Sequence, residues 1–348
     1  MKQTKTVCVI GHFGFGENLL NGQTVKTKIL AEELIRRYGE NEVETVDTHG
    51  GIKALLKLPL VTFQALRRCR NIVMLPAHNG VKIITPILRF WNFFFRRRLH
   101  YAVIGGWLPS MLQQRKFLRA QLKRFSGVYV ETQTMEKALR NLGFSNIVVL
   151  PNCKPLEILS SDALPGAVEE PYRLVTFSRV MRQKGIDTAV NAVKEINAKA
   201  GRTVYTLDIY GQVDENETEW FDGLCRDFPS SIRYGGLVPF TESGRVLKGA
   251  FALLFPTRFY TEGIPGTIID AYAAGVPVIS SRWESFSDIV TDGITGIGYD
   301  FSEENGLLRV LKAQRENPQT LIDMRENCLR AAERYLPENV ISALTENF

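Results

Sequence analysis

The sequence predicts an α/β protein built as two doubly wound, Rossmann-like domains that face each other across a cleft. Three observations carry this. Short apolar runs alternate with helix-length amphipathic stretches along the chain, the pattern of parallel strands joined by crossover helices. A proline-rich stretch interrupts the alternation once, near the middle. A length of 348 residues exceeds one ordinary core and suits two.

In the first half Val7–Ile10 reads as a strand, and Thr24–Tyr38 as a helix with Val25, Ile29, Leu30 and Leu34 on its apolar face. Asn71–Leu75, Tyr101–Ile104, Gly127–Val130 and Ile147–Leu150 are further strands, with helical stretches between them. Residues 1–150 form the first domain. Pro151, Pro155, Pro165 and Pro171, with the Ser160-Ser161-Asp162 cluster, mark 151–171 as a linker. The alternation then restarts over 172–335. Strands are expected at Leu174–Phe177, Val204–Tyr210, Ile232–Tyr234, Ala252–Phe255 and Val276–Ser280, and helices at 186–199, 241–249, 265–274 and 318–335. The tail, 336–348, is expected to pack back on the first domain. Ligands of such sheets sit beyond the carboxyl ends of the strands, here the cleft.

Hydrophobic content of 45% and charged content of 23% are those of a soluble globular protein. Val7–Ile10 already reads as a buried strand, so no secretory leader is expected, and no run approaches a membrane-spanning length. Five scattered cysteines without a CxxC pair argue against a disulfide framework or a zinc site and suit a reducing cytoplasm. Charge is split unevenly. Residues 1–150 carry 23 Lys+Arg against 9 Asp+Glu, whereas residues 151–348 carry 20 against 28. The first half is therefore suited to an anionic partner, such as a membrane surface, a phosphorylated acceptor or nucleic acid.

Four features of the second half fall at predicted strand ends. Phe177 to Gly185 holds Arg179 and Lys184 on one loop, two cations able to grip a diphosphate, one as a bidentate fork and one as a point charge. A solvated basic loop has the same composition. Pro256 to Asp270 runs from a strand end through Glu262, Gly263 and Ile264 to Pro265, placed as the first helical residue. The amides around Pro265, Gly266 and Thr267 then form an anion site, and Asp270 sits about one turn further in. Acids there also complement a helix dipole without any ligand. Ala273 to Ser280, with Gly275 as the cap, reads as a tight helix-to-strand return, and Ile289 to Gly296 as a turn into an edge strand.

In that order, the four motifs resemble the C-terminal domain of the retaining family 4 glycosyltransferases (glycosyl transferases group 1), which have the GT-B fold. The likeness is strong over residues 173–300 and looser before them. It implies that Arg179 and Lys184 bind the donor diphosphate and that Glu262 contacts the donor sugar as the first acid of a Glu-x7-Glu motif. Asp270 stands where the second Glu normally meets the ribose, one methylene shorter. Gly211, at the end of a predicted strand, joins the implied donor-binding set. The resemblance implies a metal-independent transferase with no cofactor beyond its nucleotide-sugar substrate.

The first half carries a glycine loop, Gly11 to Gly16 and on to Gly22, between strand and helix. It lacks the GxGxxG spacing, and no acidic residue is seen to end a clear second strand, which disfavours hydride transfer. Gly14, Gly16 and Gly22 either admit an acceptor closely or serve as turn glycines. The family's cleft histidine has no counterpart: the matching stretch is Ile104-Gly105-Gly106-Trp107-Leu108-Pro109, where Gly106 and Trp107 are candidates for lining the acceptor cleft. His78 and His100 lie nearby in sequence, and neither fits that place. Arg89 to Arg98 mixes aromatics with arginines. Trp91, Phe94, Arg96, Arg97 and Arg98 there fit a helix in the membrane interface, or equally a packed helix with a charged end. No motif supports nucleic acid.

The expected activity is transfer of a sugar from a UDP-linked donor, with retention, to a hydroxyl of a saccharide or lipid-linked saccharide in surface polysaccharide synthesis. The expected location is the cytoplasm, on the inner face of the membrane. The alternatives are a non-catalytic nucleotide-sugar-binding module and a GT-B sugar-nucleotide epimerase. The Glu-x7-acid arrangement belongs to the transferases rather than to the epimerases.

Overall fold

The computed structural model describes residues 4–16, 22–166, 168–239 and 242–348. They divide into two units, Met1–Pro155 with Tyr335–Phe348, and Leu156–Arg334. The boundary falls inside the expected linker, most of which belongs to the second unit, where the Leu159 amide donates to Ala273 O at 2.8 Å.

The first unit runs β1 (Lys5–Gly11), α1 (Gly22–Tyr38), β2 (Val43–Asp47), α2 (Gly51–Arg68), β3 (Cys69–Leu75), α3 (Gly80–Phe95), β4 (Arg98–Ala102), α4 (Leu108–Gln114), α5 (Lys116–Leu122), β5 (Gly127–Val130), α6 (Gln133–Asn141) and β6 (Ile147–Val149). Its six strands are parallel in the order β2-β1-β3-β4-β5-β6. Strand side chains alternate between two cores. Cys8, Ile10, Ile72 and Met74 join one cluster with α2 to α6. Val7, Val9, Val73 and Leu75 join the other with α1. Burial on both faces is why these strands read as continuous apolar runs. Thr132 caps α6, its hydroxyl accepting the Met135 amide at 3.1 Å.

The second unit runs β7 (Tyr172–Phe177), α7 (Ile186–Ala200), β8 (Tyr205–Tyr210), α8 (Thr218–Arg226), β9 (Ile232–Gly236), α9 (Ser243–Leu247), β10 (Ala252–Phe255), α10 (Gly266–Ala273), β11 (Val278–Ser281), β12 (Gly296–Tyr299), α11 (Gly306–Glu316), α12 (Gln319–Ile322) and α13 (Arg325–Ala332). Its parallel sheet has the order β12-β11-β10-β7-β8-β9. Strand order reverses between β7 and β10 here, and between β1 and β3 in the first unit, the positions where open α/β sheets bind ligands.

The chain then returns to the first unit as α14 (Pro337–Val340) and α15 (Ser342–Thr345). Val340, Ile341 and Leu344 are buried in the cluster that holds Ile29 and Leu30, and the Lys154 amide donates to Tyr335 O at 3.0 Å.

Several sequence expectations are corrected. A second strand exists and does end in an acid, Asp47. The strand expected over Tyr101–Ile104 begins earlier, at Arg98, and stops at Ala102. The helix expected over 318–335 is broken into α12 and α13, and α9 is shorter than its expected span. α8 and α11 were not foreseen.

Candidate active site

Because β8, β7 and β10 are adjacent and parallel, the loops leaving their C-terminal ends lie side by side. Backbone bonds lock them together. Val180 N donates to Gln212 O at 2.8 Å, Asp214 N to Val180 O at 3.0 Å, and Arg258 N to Gln183 O at 2.7 Å. The approach is close enough to demand glycine twice. A Cβ on Gly211 (φ +130°) would fall 1.8 Å from Ser178 O, and one on Gly185 (φ +69°) 2.0 Å from Pro256 O. Gly211 thus shapes the site through its backbone.

On this base sit the charged side chains. Lys184, from the loop after β7, is ion-paired with Glu262, from the loop after β10. The Thr257 hydroxyl donates to the same Glu262 Oε1 at 3.0 Å. The Lys184 ammonium also lies 4.9 Å from the Phe259 ring centroid and 5.5 Å from that of Phe255, a cation–π setting. Arg179 is half exposed and reaches Asp214, from the loop after β8, at 3.3 Å. The Asn216 amide, followed by Arg179, holds the Asp214 carboxyl below its ordinary pKa. Arg258 braces the floor, donating to Arg182 O at 2.9 Å and Thr188 Oγ1 at 2.8 Å.

Beside Glu262 the chain passes through buried Gly263 and Ile264 into α10. Pro265 is the N-cap, with extended backbone, and not the first helical residue as expected; α10 starts at Gly266. The Gly266 and Thr267 amides fall in the first turn, where the helix has no carbonyl to offer them. Thr267 Oγ1 is buried and, among the described residues, has no hydrogen-bond partner. Asp270 lies one turn further in and is 5% exposed.

Residues 171–313 match the family described as Glycosyl transferases group 1. The match lies within the second unit. The amylovoran biosynthesis glycosyltransferase AmsK of Erwinia amylovora is 28% identical over 138 residues, which are 38% of this chain and 33% of that protein. The chain thus spans about a third of that relative's length. Among solved structures, Anabaena HepE in complex with UDP and glucose has a TM-score of 0.74 at 15% identity, covering 98% of both chains. Sucrose-phosphate synthase from Thermosynechococcus elongatus has a TM-score of 0.78 at 16% identity, again covering 98% of both. The fold is GT-B.

Outside the matched segment, the first unit has its own polar cluster at the strand ends. Gly14 (φ +60°) is buried and Gly16 (φ +89°) exposed, and Gly22 opens α1; part of the loop between them lies outside the described residues. Asp47 accepts the Phe13 amide at 2.9 Å, that of Phe15 at 3.0 Å and that of His49 at 2.8 Å. Burial raises its pKa, but these amides outweigh burial and hold it below the ordinary carboxylate value. His12 bridges the Thr24 hydroxyl at 2.8 Å and His49 at 3.0 Å. Trp107 is half-buried, donates to Ile104 O at 2.7 Å and meets the His78 ring edge-on at 5.1 Å. Gly106 is buried beside it.

The expected membrane residues separate. Phe94 is 65% exposed. Trp91 is half-buried against Phe63 at 5.0 Å. Arg96, in left-handed backbone (φ +53°), ends α3. Arg97 donates to Leu66 O at 3.0 Å, and Arg98 starts β4 and reaches Asn347 O at 3.2 Å. Trp91 packs against the core of the first unit, whereas Phe94 faces solvent. Asp214, Thr257, Asp47 and the His12–His49 pair escaped the sequence reading, since none falls in a spacing that marks it.

Proposed function

We propose that the chain is a glycosyltransferase that moves a sugar from a UDP-linked donor, with retention, to a hydroxyl of a saccharide or lipid-linked saccharide in surface polysaccharide synthesis. The observation that carries this is the Lys184–Glu262 pair at the strand-order reversal, beside the first-turn amides of α10. A nucleotide diphosphate sugar offers what each partner lacks. Its diphosphate suits Lys184 and Arg179, its sugar hydroxyls suit Glu262, and its ribose diol suits Asp270. As the anomeric bond breaks, charge grows on the departing diphosphate, where fixed cations act most strongly.

These cations supply the charge a metal would otherwise bring, so turnover needs no divalent ion and no cofactor. The basic first unit and the exposed phenylalanines of α3 support work at an anionic membrane surface on its cytoplasmic side. Among the described residues, no helix is long and apolar enough to cross a membrane.

The test is thermal stabilisation by UDP, UDP-sugars and GDP-sugars, with release of UDP from the best donor into water. Stabilisation without any turnover of donor, alone or with saccharide acceptors, would leave the binding-module reading. No response to any nucleotide would sink both.

A further inference from the structure

Helices α3 and α5 of the first unit pack together and carry cations but no carboxylate. A cavity of about 340 Å3 opens where α3 meets the junction of α4 and α5, a volume within the range of small-ligand sites. Lys82, Arg115 and Lys116 line it, with the amides of Gln114 and Gln121 and the ring of Phe117. Lys82 is held in place, its ammonium donating to Asn79 Oδ1 at 2.6 Å. Arg115 and Lys116 are exposed, and among the described residues neither has an ion-pair partner. From Thr48 to Val130 the chain carries no Asp or Glu and 15 Lys or Arg. The cations continue past the cavity. Arg89 follows Lys82 and Pro86 on one face of α3, about 10 Å further along the axis. Burial, with Arg124 beside it, pushes the Arg89 guanidinium below its ordinary pKa. Like charges set this close repel, and an anion that spans them relieves the repulsion.

We propose that the seam between α3 and α5 binds a carboxylate-bearing oligosaccharide, a uronic-acid stretch of the acceptor chain, with its carboxylates on Lys82, Arg115 and Lys116 and one sugar face on Phe117. The proposal rests on the transferase reading and specifies the charge of its acceptor. A single phosphate would satisfy the cavity's cations. It would have no use for Phe117, which is 73% exposed, or for charges spread along a helix. The C–H face of a pyranose suits the negative face of a phenyl ring, and its hydroxyls suit the two amides. Its carboxylates, repeated along a chain, suit cations set in a row. A bilayer surface is flat and would not fill a concave site. Single-stranded nucleic acid stacks its bases on successive rings, and of the lining side chains only Phe117 is aromatic.

The experiment titrates the full chain calorimetrically with di-, tetra- and hexagalacturonate, and with hyaluronan oligomers of matching length for a second ring geometry. Affinity for at least one series should rise with chain length and fall with added salt. The fully methyl-esterified hexagalacturonate, with the same rings and no charge, should bind at least about tenfold more weakly. The double variant Arg115→Ser, Lys116→Ser, at two exposed positions, should weaken the preferred hexamer by on the order of tenfold. Its melting temperature and its affinity for UDP should stay parental. Should that pair fail to fold, Lys116→Glu alone carries the same comparison. Phe117→Ala should weaken the hexamer severalfold and leave inorganic phosphate unchanged, which a merely electrostatic surface would not do. Binding of neither series, equal binding of the ester, or parental binding by the folded double variant would overturn the proposal. Displacement of the hexamer by hexathymidylate at equal concentration would assign the seam to nucleic acid, and displacement by phosphatidylglycerol vesicles to a membrane; either would overturn it too. A parent chain that binds the uronate oligomers but no UDP would instead refute the transferase reading and leave the saccharide site standing.

Discussion

Lys184 and Glu262, 78 residues apart in sequence, close an ion pair across the loops that follow β7 and β10. Each fixes the other's rotamer and neutralises its charge, so the site holds both groups oriented before any ligand arrives. On the proposed function, donor binding exchanges this contact for two better-matched ones, the diphosphate on the cation and the sugar hydroxyls on the acid.

Removing either partner should therefore cost more than removing both. Lys184→Ala leaves a half-buried carboxylate with Thr257 as its remaining hydrogen-bond donor, and Glu262→Ala leaves a cation over two rings. A double-mutant cycle on urea unfolding should show a coupling energy of about 1 kcal/mol. Strict additivity would mean that the two side chains do not pair in solution.

Arg179 and Asp270 should divide the kinetics. Arg179→Ala removes charge needed most in the transition state and should lower kcat by on the order of a hundredfold, about 3 kcal/mol. Asp270→Ala should chiefly raise the donor KM, because a ribose contact is the same in ground and transition states. Steady-state rates over a range of donor concentrations separate the two, and parental kcat in Arg179→Ala with only weaker donor affinity would reverse the assignments.

A chelator should leave turnover unchanged. On the proposed function, Arg179 and Lys184 bring two positive charges to the leaving diphosphate. Rates measured with EDTA and with added manganese check this, and activity lost to the first and regained with the second would refute it.

Stability should fall on the acid side of neutrality because of His100. It is fully buried on β4, between the Tyr129 hydroxyl at 3.0 Å and the Asn71 side-chain oxygen at 3.3 Å. Burial, with Arg98 behind it, pushes its pKa down to about 4. The unfolded chain returns it to about 6.5. Between those values the unfolded state binds the extra proton, so stability is full above the upper value and is lost as pH falls through the window. The loss attributable to this group should approach about 3 kcal/mol. Urea unfolding from pH 7 to 4 should give a shallower slope for His100→Gln than for the parent.

The parts of the fold legible in the sequence are those where local pattern and burial coincide. β1, β3, β5 and β10 are buried on both faces and stand out as apolar runs. β2 does not: of Val43–Asp47 only Val43 is buried, as befits an edge strand, so no run marks it. α8 carries Gly223 in its middle, which weakens its helical signal. The long helix expected over 318–335 breaks after Ile322, and no proline or glycine announces the break. At the site, motif order located the strand-end loops, because those loops are local in sequence. The pairing of Lys184 with Glu262, of Arg179 with Asp214 and of His12 with His49 joins distant loops, and that depends on which strands are neighbours.

The return of Tyr335–Phe348 to the first unit sets an order on synthesis. A ribosome finishes Leu156–Arg334 before it delivers α14 and α15, whose Val340, Ile341 and Leu344 cover Ile29 and Leu30. The usual N-terminal-first sequence of domain completion is thus inverted. The nascent first unit waits with an uncovered apolar face while the second unit folds, and that interval is when a chaperone would be needed most.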